Sequence, residues 1–93
     1  MANISITATG APSPDTLDTA PGSKINWTNN NAATVTTFTL PTCVSPQTSP
    51  APIAPGGTTR DYTVNNGTHG DYDYSYAVDD IDGTPQNGTI DVG

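Results

Sequence analysis

The residues best able to do chemistry lie near the C-terminal end of the chain, where the acidic run DDIDG spans 79–83. Calcium binds clustered carboxylates, and a glycine permits the sharp turn that brings them together. An EF-hand loop has its glycine at position six. With Gly83 in that place, the first and twelfth positions fall on Val78 and Thr89 instead of Asp and Glu, so an EF-hand does not fit. The remaining alternatives are a solvated acidic turn and a looser calcium site formed by Asp79, Asp80 and Asp82.

Nucleophilic catalysis would depend on Cys43 and His69, the single cysteine and the single histidine of the chain. His69 precedes Gly70 in a predicted turn, a setting typical of an ordinary turn residue, and no Gly-x-Ser-x-Gly motif occurs. We therefore expect no enzyme activity and assign no catalytic residue. A lone cysteine forms no internal disulfide, so it indicates neither a reducing nor an oxidising compartment.

The charge balance restricts the classes of partner. Lys24 and Arg60 face nine aspartates, which gives a formal net charge of −7. A phosphate backbone is bound by Lys and Arg, so we expect no nucleic-acid partner. No apolar run is long enough to span a membrane, and a soluble protein that binds another protein is predicted. The N-terminal residues do not form a secretory signal, and the localisation stays open: an extracytoplasmic site is expected only if a signal was removed.

The elements that must position these residues read as strands. A length of 93 residues predicts a single domain over 1–93, and a chain rich in Thr, Asn, Gly and Pro favours strands and turns over helices. Alternating apolar residues between turn signals predict about seven strands, as in an antiparallel Greek-key β-sandwich. The strands are placed near 4–8, 17, 24–29, 34–40, 58–64, 72–78 and 88–92. The predicted core comprises Ile4, Ile6, Ile25, Trp27, Phe38, Leu40, Tyr62, Val64, Tyr72, Tyr74, Ile90 and Val92.

Two irregular features interrupt this pattern. Val35 is out of phase with Phe38 and Leu40, which predicts a bulge or bend near Thr36 and Thr37. The proline-rich segment 41–57 has no usable period, and it is interpreted as a lid, a wrap around a sheet edge or a mobile loop, with Ile53 as its anchor.

Three segments together resemble the cupredoxin family of small blue-copper proteins: PGSKINWTNNNAATVT (21–36), IAPGGTTRDYTVNNGTHGDYDYSY (53–76) and NGTIDV (87–92). The family's copper is held by two His, one Cys and a weak axial Met. The resemblance places these ligands at positions that here carry Ala33 and Asp79 for the histidines, Tyr76 for the cysteine and Gln86 for the methionine. An immunoglobulin-like sandwich is the alternative fold, but no cysteine precedes Trp27 to pair across the sheets.

The resemblance therefore implies a cupredoxin-like fold that has lost its copper site. Tyr76 is interpreted either as a ring that fills the space of the metal or as one more inward strand residue. We predict a non-catalytic binding or structural module that needs no metal or other cofactor. The alternatives are a calcium-dependent module that uses the acidic run and a redox protein with a non-standard metal site.

Overall fold

The computed structural model describes residues 2–79 and 85–93, which form two β-sheets packed face to face. The strands are β1 (Ala2–Ile6), β2 (Pro12–Ser13), β3 (Thr16–Thr19), β4 (Lys24–Asn29), β5 (Val35–Thr39), β6 (Val44–Ser45), β7 (Tyr62–Val64), β8 (Gly70–Val78) and β9 (Gln86–Val92). Sheet A has the order β2-β1-β4-β7-β6, and sheet B has the order β3-β9-β8-β5. The predicted all-β sandwich is confirmed. No helix among the described residues could cross a membrane.

The seven predicted strands correspond to β1, β3, β4, β5, β7, β8 and β9, and the structure adds two strands of two residues each. The sheets are mixed, not wholly antiparallel as predicted: β1 pairs in parallel with β4, and β3 pairs in parallel with β9. The physical reason lies in the connections. Between β1 and β4 the chain crosses to the other sheet to form β3, and such a crossover, unlike a tight hairpin, brings a strand back in the same direction.

The core fills the space between the two sheets and matches the prediction with one correction. Tyr72 is only half-buried, because it lies near the start of β8 where the sandwich opens towards the turn that precedes Gly70. The other eleven predicted residues are buried. Further buried members are Val35, Cys43, Val44, Ile53, Tyr76 and Val78.

The predicted bulge in β5 is confirmed. The pairing of β5 with β8 shifts register between Thr36 and Thr39, and Thr37 has a φ of 52°. This left-handed conformation is uncommon for a β-branched residue. The extra residue allows Val35 and Phe38, three positions apart, to face the same core.

The proline-rich segment 41–57 wraps the free edge of β5, one of the three alternatives that the sequence left open. Ile53, the predicted anchor, is buried and exchanges two backbone hydrogen bonds with Val35, at 3.0 and 2.9 Å. The hydroxyl of Ser49 also donates to the carbonyl oxygen of Phe38 at 2.7 Å. The segment thus covers edge groups that would otherwise be open to pairing with another chain.

Candidate functional site

The four positions at which the resemblance expects copper ligands lie at one end of the sandwich. Tyr76 in β8 is directly opposite Gln86 in β9. The backbone N–H of Asp79, just beyond β8, donates to the carbonyl oxygen of Thr34, the neighbour of Ala33, at 3.1 Å. The fold therefore brings Ala33 to the region where β8 and β9 hold the other three positions.

The side chain of Tyr76 lies inside the sandwich, with 1% of its surface exposed. Its ring stacks on Phe38, with centroids 5.6 Å apart, and lies 6.3 Å from the ring of Tyr74. Its hydroxyl donates to the carbonyl oxygen of Gly10 at 2.6 Å. Burial, with a smaller contribution from Tyr74, raises the pKa of Tyr76 far above its usual value, so the hydroxyl stays neutral.

Tyr76 belongs to an aromatic cluster centred on Trp27. Edge-to-face contacts join Trp27 to Phe38, Tyr62 and Tyr74, with ring centroids 5.0, 5.8 and 5.1 Å apart. The hydroxyl of Tyr74 and the Nε1 atom of Trp27 are buried without a hydrogen-bond partner in the described part of the chain. Burial raises the pKa of Tyr74 to about 12; the nearby Trp27 indole partly offsets this rise, and Asp15 adds to it. The Tyr74 hydroxyl is thus neutral and not stabilised by a hydrogen bond of ordinary geometry.

The structure places the two residues considered for catalysis in different surroundings. Cys43 is buried, and this burial raises the pKa of its thiol, although a backbone hydrogen bond partly offsets the effect. A nucleophilic thiol needs the opposite shift. His69 is exposed next to the start of β8, and no hydrogen bond joins it to Cys43 among residues 2–79 and 85–93.

The acidic run is described only at its first residue. Asp79 accepts a long hydrogen bond of 3.4 Å from the hydroxyl of Thr36, whereas Asp80 and Asp82 lie outside the described residues. Sheet B carries a different acidic feature: Asp91 is directly opposite Asp18 on one side and Asp71 on the other. We call these three side chains the acidic row. Within the described ranges, no group of three or more His, Cys, Asp or Glu is arranged to hold a metal ion.

Comparison with solved structures decides the fold. A purple cupredoxin from Nitrosopumilus maritimus is similar to this chain over 100% of both chains, with a TM-score of 0.68 and 18% sequence identity. The chain has the cupredoxin fold. No protein-family profile matches the sequence, and no curated protein is significantly similar to it.

We call the end of the sandwich that holds Ala33, Tyr76, Asp79 and Gln86 the metal end. The side chains at these positions do not fit a blue-copper centre. Such a centre needs two imidazoles and a thiolate, and the corresponding positions carry Ala33, Asp79 and Tyr76. The neutral Tyr76 hydroxyl is already bonded to Gly10 and offers no phenolate. His69 precedes Tyr76 by seven residues along one extended strand, about 23 Å, so it cannot supply the missing imidazole.

Sequence reasoning missed the structural role of two asparagines in this cupredoxin fold. Polar type alone does not mark Asn29 and Asn31 as core residues, but both are buried. The Asn29 amide donates to the carbonyl oxygens of Ala33 and Ile53, both at 2.8 Å. The Asn31 amide donates to those of Thr7 and Ala8 at 3.0 and 3.1 Å. The only sequence signal was the Asn-rich run itself.

A surface groove of about 410 Å³ runs along the proline-rich segment. One wall is formed by residues 48–54 of the proline-rich segment and the other by residues 57–60 together with Tyr62, the first residue of β7. Ile53 and Tyr62 supply buried apolar surface, and Arg60 supplies the charge. We call this feature the Arg60 groove. The irregular proline-rich segment was a weak signal for it, because the sequence did not show which strand the segment would meet.

Proposed function

We propose that this chain is a non-catalytic binding module on a cupredoxin fold without a copper site, and that it binds another protein. The observation that carries the proposal is the state of Tyr76. At the position where the resemblance expects the thiolate ligand, a ring is buried, stacked on Phe38 and fixed by a hydrogen bond to Gly10. This packing supports Tyr76 as a structural replacement for a metal-centred site.

The absence of catalysis is part of the proposal, and Cys43 supports it. A buried thiol with a raised pKa reacts slowly, because the thiolate is the nucleophile. The Arg60 groove supports a binding role, because its volume falls within the range of about 300–1,000 Å³ that is common for binding sites.

Metal analysis of the purified protein, followed by addition of Cu(I) and Cu(II), tests the proposal. We expect no stoichiometric metal and no intense visible band of a copper–thiolate bond. A variant that combines Ala33→His, Tyr76→Cys and Asp79→His is the positive control, and it should acquire such a band. If this variant folds without binding copper, the inferred ligand positions are wrong. A stoichiometric coloured metal in the unaltered protein would overturn the proposal itself.

A calcium titration distinguishes the calcium-dependent alternative from this proposal. Of its three candidate ligands, only Asp79 lies in the described structure, exposed and next to the hydroxyl of Thr36. The proposal expects calcium to change Tm no more than a sodium salt of equal ionic strength does. A larger calcium-dependent rise, lost in Asp79→Asn, would favour the calcium-dependent module.

A further inference from the structure

The Arg60 groove has both of its ends closed by hydrogen bonds. At one end, the N–H of Gly57 donates to the carbonyl oxygen of Ala54 at 2.8 Å and closes the turn between the walls. At the other end, the Tyr62 hydroxyl donates to the carbonyl oxygen of Thr48 at 3.1 Å. The walls are thus tied together at both ends, and the space between them is fixed by the fold.

The charge in the groove is opposite to that of the rest of the molecule. None of the aspartates in the described part of the chain lines it, although the protein carries nine. Arg60 is exposed at its rim and forms no ion pair with any described residue. Its positive charge also acts at the floor, where it opposes the burial that raises the pKa of Tyr62. An unpaired guanidinium over an apolar floor is suited to receive a carboxylate.

The wall formed by residues 57–60 and Tyr62 also offers main-chain groups. Thr58 forms an antiparallel bridge with Thr28, and the hydrogen bonds of this bridge are made by its neighbours: Gly57 accepts from Asn29, and Thr59 donates to Trp27. In such a pair, the N–H and C=O of Thr58 itself point away from β4. No residue of β4 lines the groove, so these two groups point to the side on which the groove lies.

We propose that the Arg60 groove binds an extended peptide segment of a partner protein, with an acidic side chain of that segment paired to Arg60. The inference rests on the proposed binding function and names the partner's chemistry. A peptide fits better than a compact ligand, because its main chain can pair with the N–H and C=O of Thr58, which form no backbone hydrogen bond with another described residue. Its apolar side chains can contact Pro50 and Pro52 in the opposite wall. The carboxylate fits because a guanidinium binds it with two parallel hydrogen bonds.

Two synthetic peptides test the inference: N-acetyl-Thr-Val-Asp-Ile-Thr-amide and the same peptide with Asn in place of Asp. Each is titrated into ¹⁵N-labelled protein while the backbone amide resonances are followed. Arg60→Gln removes the groove's charge, and Lys24→Gln is the matched control, because it changes the net charge equally at a site outside the groove. Thermal unfolding verifies that both variants remain folded.

We expect the Asp peptide to shift resonances of residues 48–62 and to bind at least about threefold more tightly than the Asn peptide. Arg60→Gln should abolish this preference, and Lys24→Gln should preserve it. Equal binding of both peptides in the groove would overturn the carboxylate inference and leave the binding function standing. If Lys24→Gln also abolishes the preference for the Asp peptide, the preference depends on net charge and not on Arg60, and the inference is overturned. No groove shift with either peptide would overturn both the inference and the groove's binding role.

Discussion

Two tyrosines on the same strand provide a sharp test of what holds the metal end of this fold together. Tyr74 and Tyr76 are both 1% exposed and face the same core. The Tyr76 hydroxyl donates to Gly10 at 2.6 Å, whereas the Tyr74 hydroxyl is buried without a partner among the described residues. Tyr76→Phe and Tyr74→Phe remove the same atom from the same kind of ring, so the loss of buried apolar surface nearly cancels between them.

The expected changes in the free energy of unfolding have opposite signs. Tyr76→Phe removes a buried hydrogen bond and leaves the Gly10 carbonyl without this donor, which should cost about 1–2 kcal/mol. Tyr74→Phe removes a hydroxyl that is desolvated without compensation, so it should be neutral or stabilise by up to about 1 kcal/mol. The two variants should therefore differ by about 2 kcal/mol, or roughly 8–16 °C in Tm for a domain of this size.

Urea unfolding followed by far-UV circular dichroism measures this difference without relying on Trp27, which contacts the ring of Tyr74. With a slope of about 2 kcal/mol/M, the two midpoints should lie about 1 M apart. Equal destabilisation by both substitutions, or a larger loss in Tyr74→Phe, would refute the reasoning. It would mean that the bond to Gly10 contributes little or that the Tyr74 hydroxyl is stabilised by a partner of its own.

Three further predictions follow from the same geometry. Folding raises the pKa of Tyr74 to about 12 and also raises that of Tyr76, so the folded state binds these two protons more tightly than the unfolded chain does. Tm should therefore fall as pH rises above about 10, and it should fall less steeply in Tyr74→Phe or Tyr76→Phe. A methyl group at Gly88 would overlap the ring of Tyr74, so Gly88→Ala should lower the free energy of unfolding in urea by about 1–3 kcal/mol. Tyr74→Leu in the same chain should relieve part of this destabilisation. If the destabilisations of the two single variants simply add in the double variant, the overlap is contradicted. Partial burial and the other two members of the acidic row, Asp71 and Asp18, raise the pKa of Asp91, so its charge opposes folding above that pKa and this effect disappears as pH falls through it. Asp91→Asn should therefore raise Tm at pH 7 but not at pH 3. The control variant Asp61→Asn changes a carboxylate that accepts a hydrogen bond from Asn26, and it should not raise Tm at either pH.

The candidate site could be predicted from the sequence only in part. The resemblance suggested the four positions of the metal end, and the pairing of β8 with β9 places two of them, Tyr76 and Gln86, opposite each other. The partner of the Tyr76 hydroxyl could not be predicted, because Gly10 is 66 residues away in the chain and carries no side chain to mark it. The acidic row was equally hidden, since the pairing of Asp18 with Asp91 depends on a parallel register that local pattern does not encode.

The sequence by itself determined seven of the nine strands of the described structure, the bulge at Thr37 and most of the core. Alternation and phase follow from which side chains must leave water. Its resemblance to the cupredoxin family implied that Ala33, Tyr76 and Asp79 stand at positions of copper ligands. Tertiary structure alone decided the parallel pairings, the wrapping of β5 by residues 41–57 and the formation of the Arg60 groove between two walls. The parallel pairings join segments far apart in the chain, and the course of residues 41–57 follows no local period. In both cases the free energy of packing the whole domain outweighs local preference.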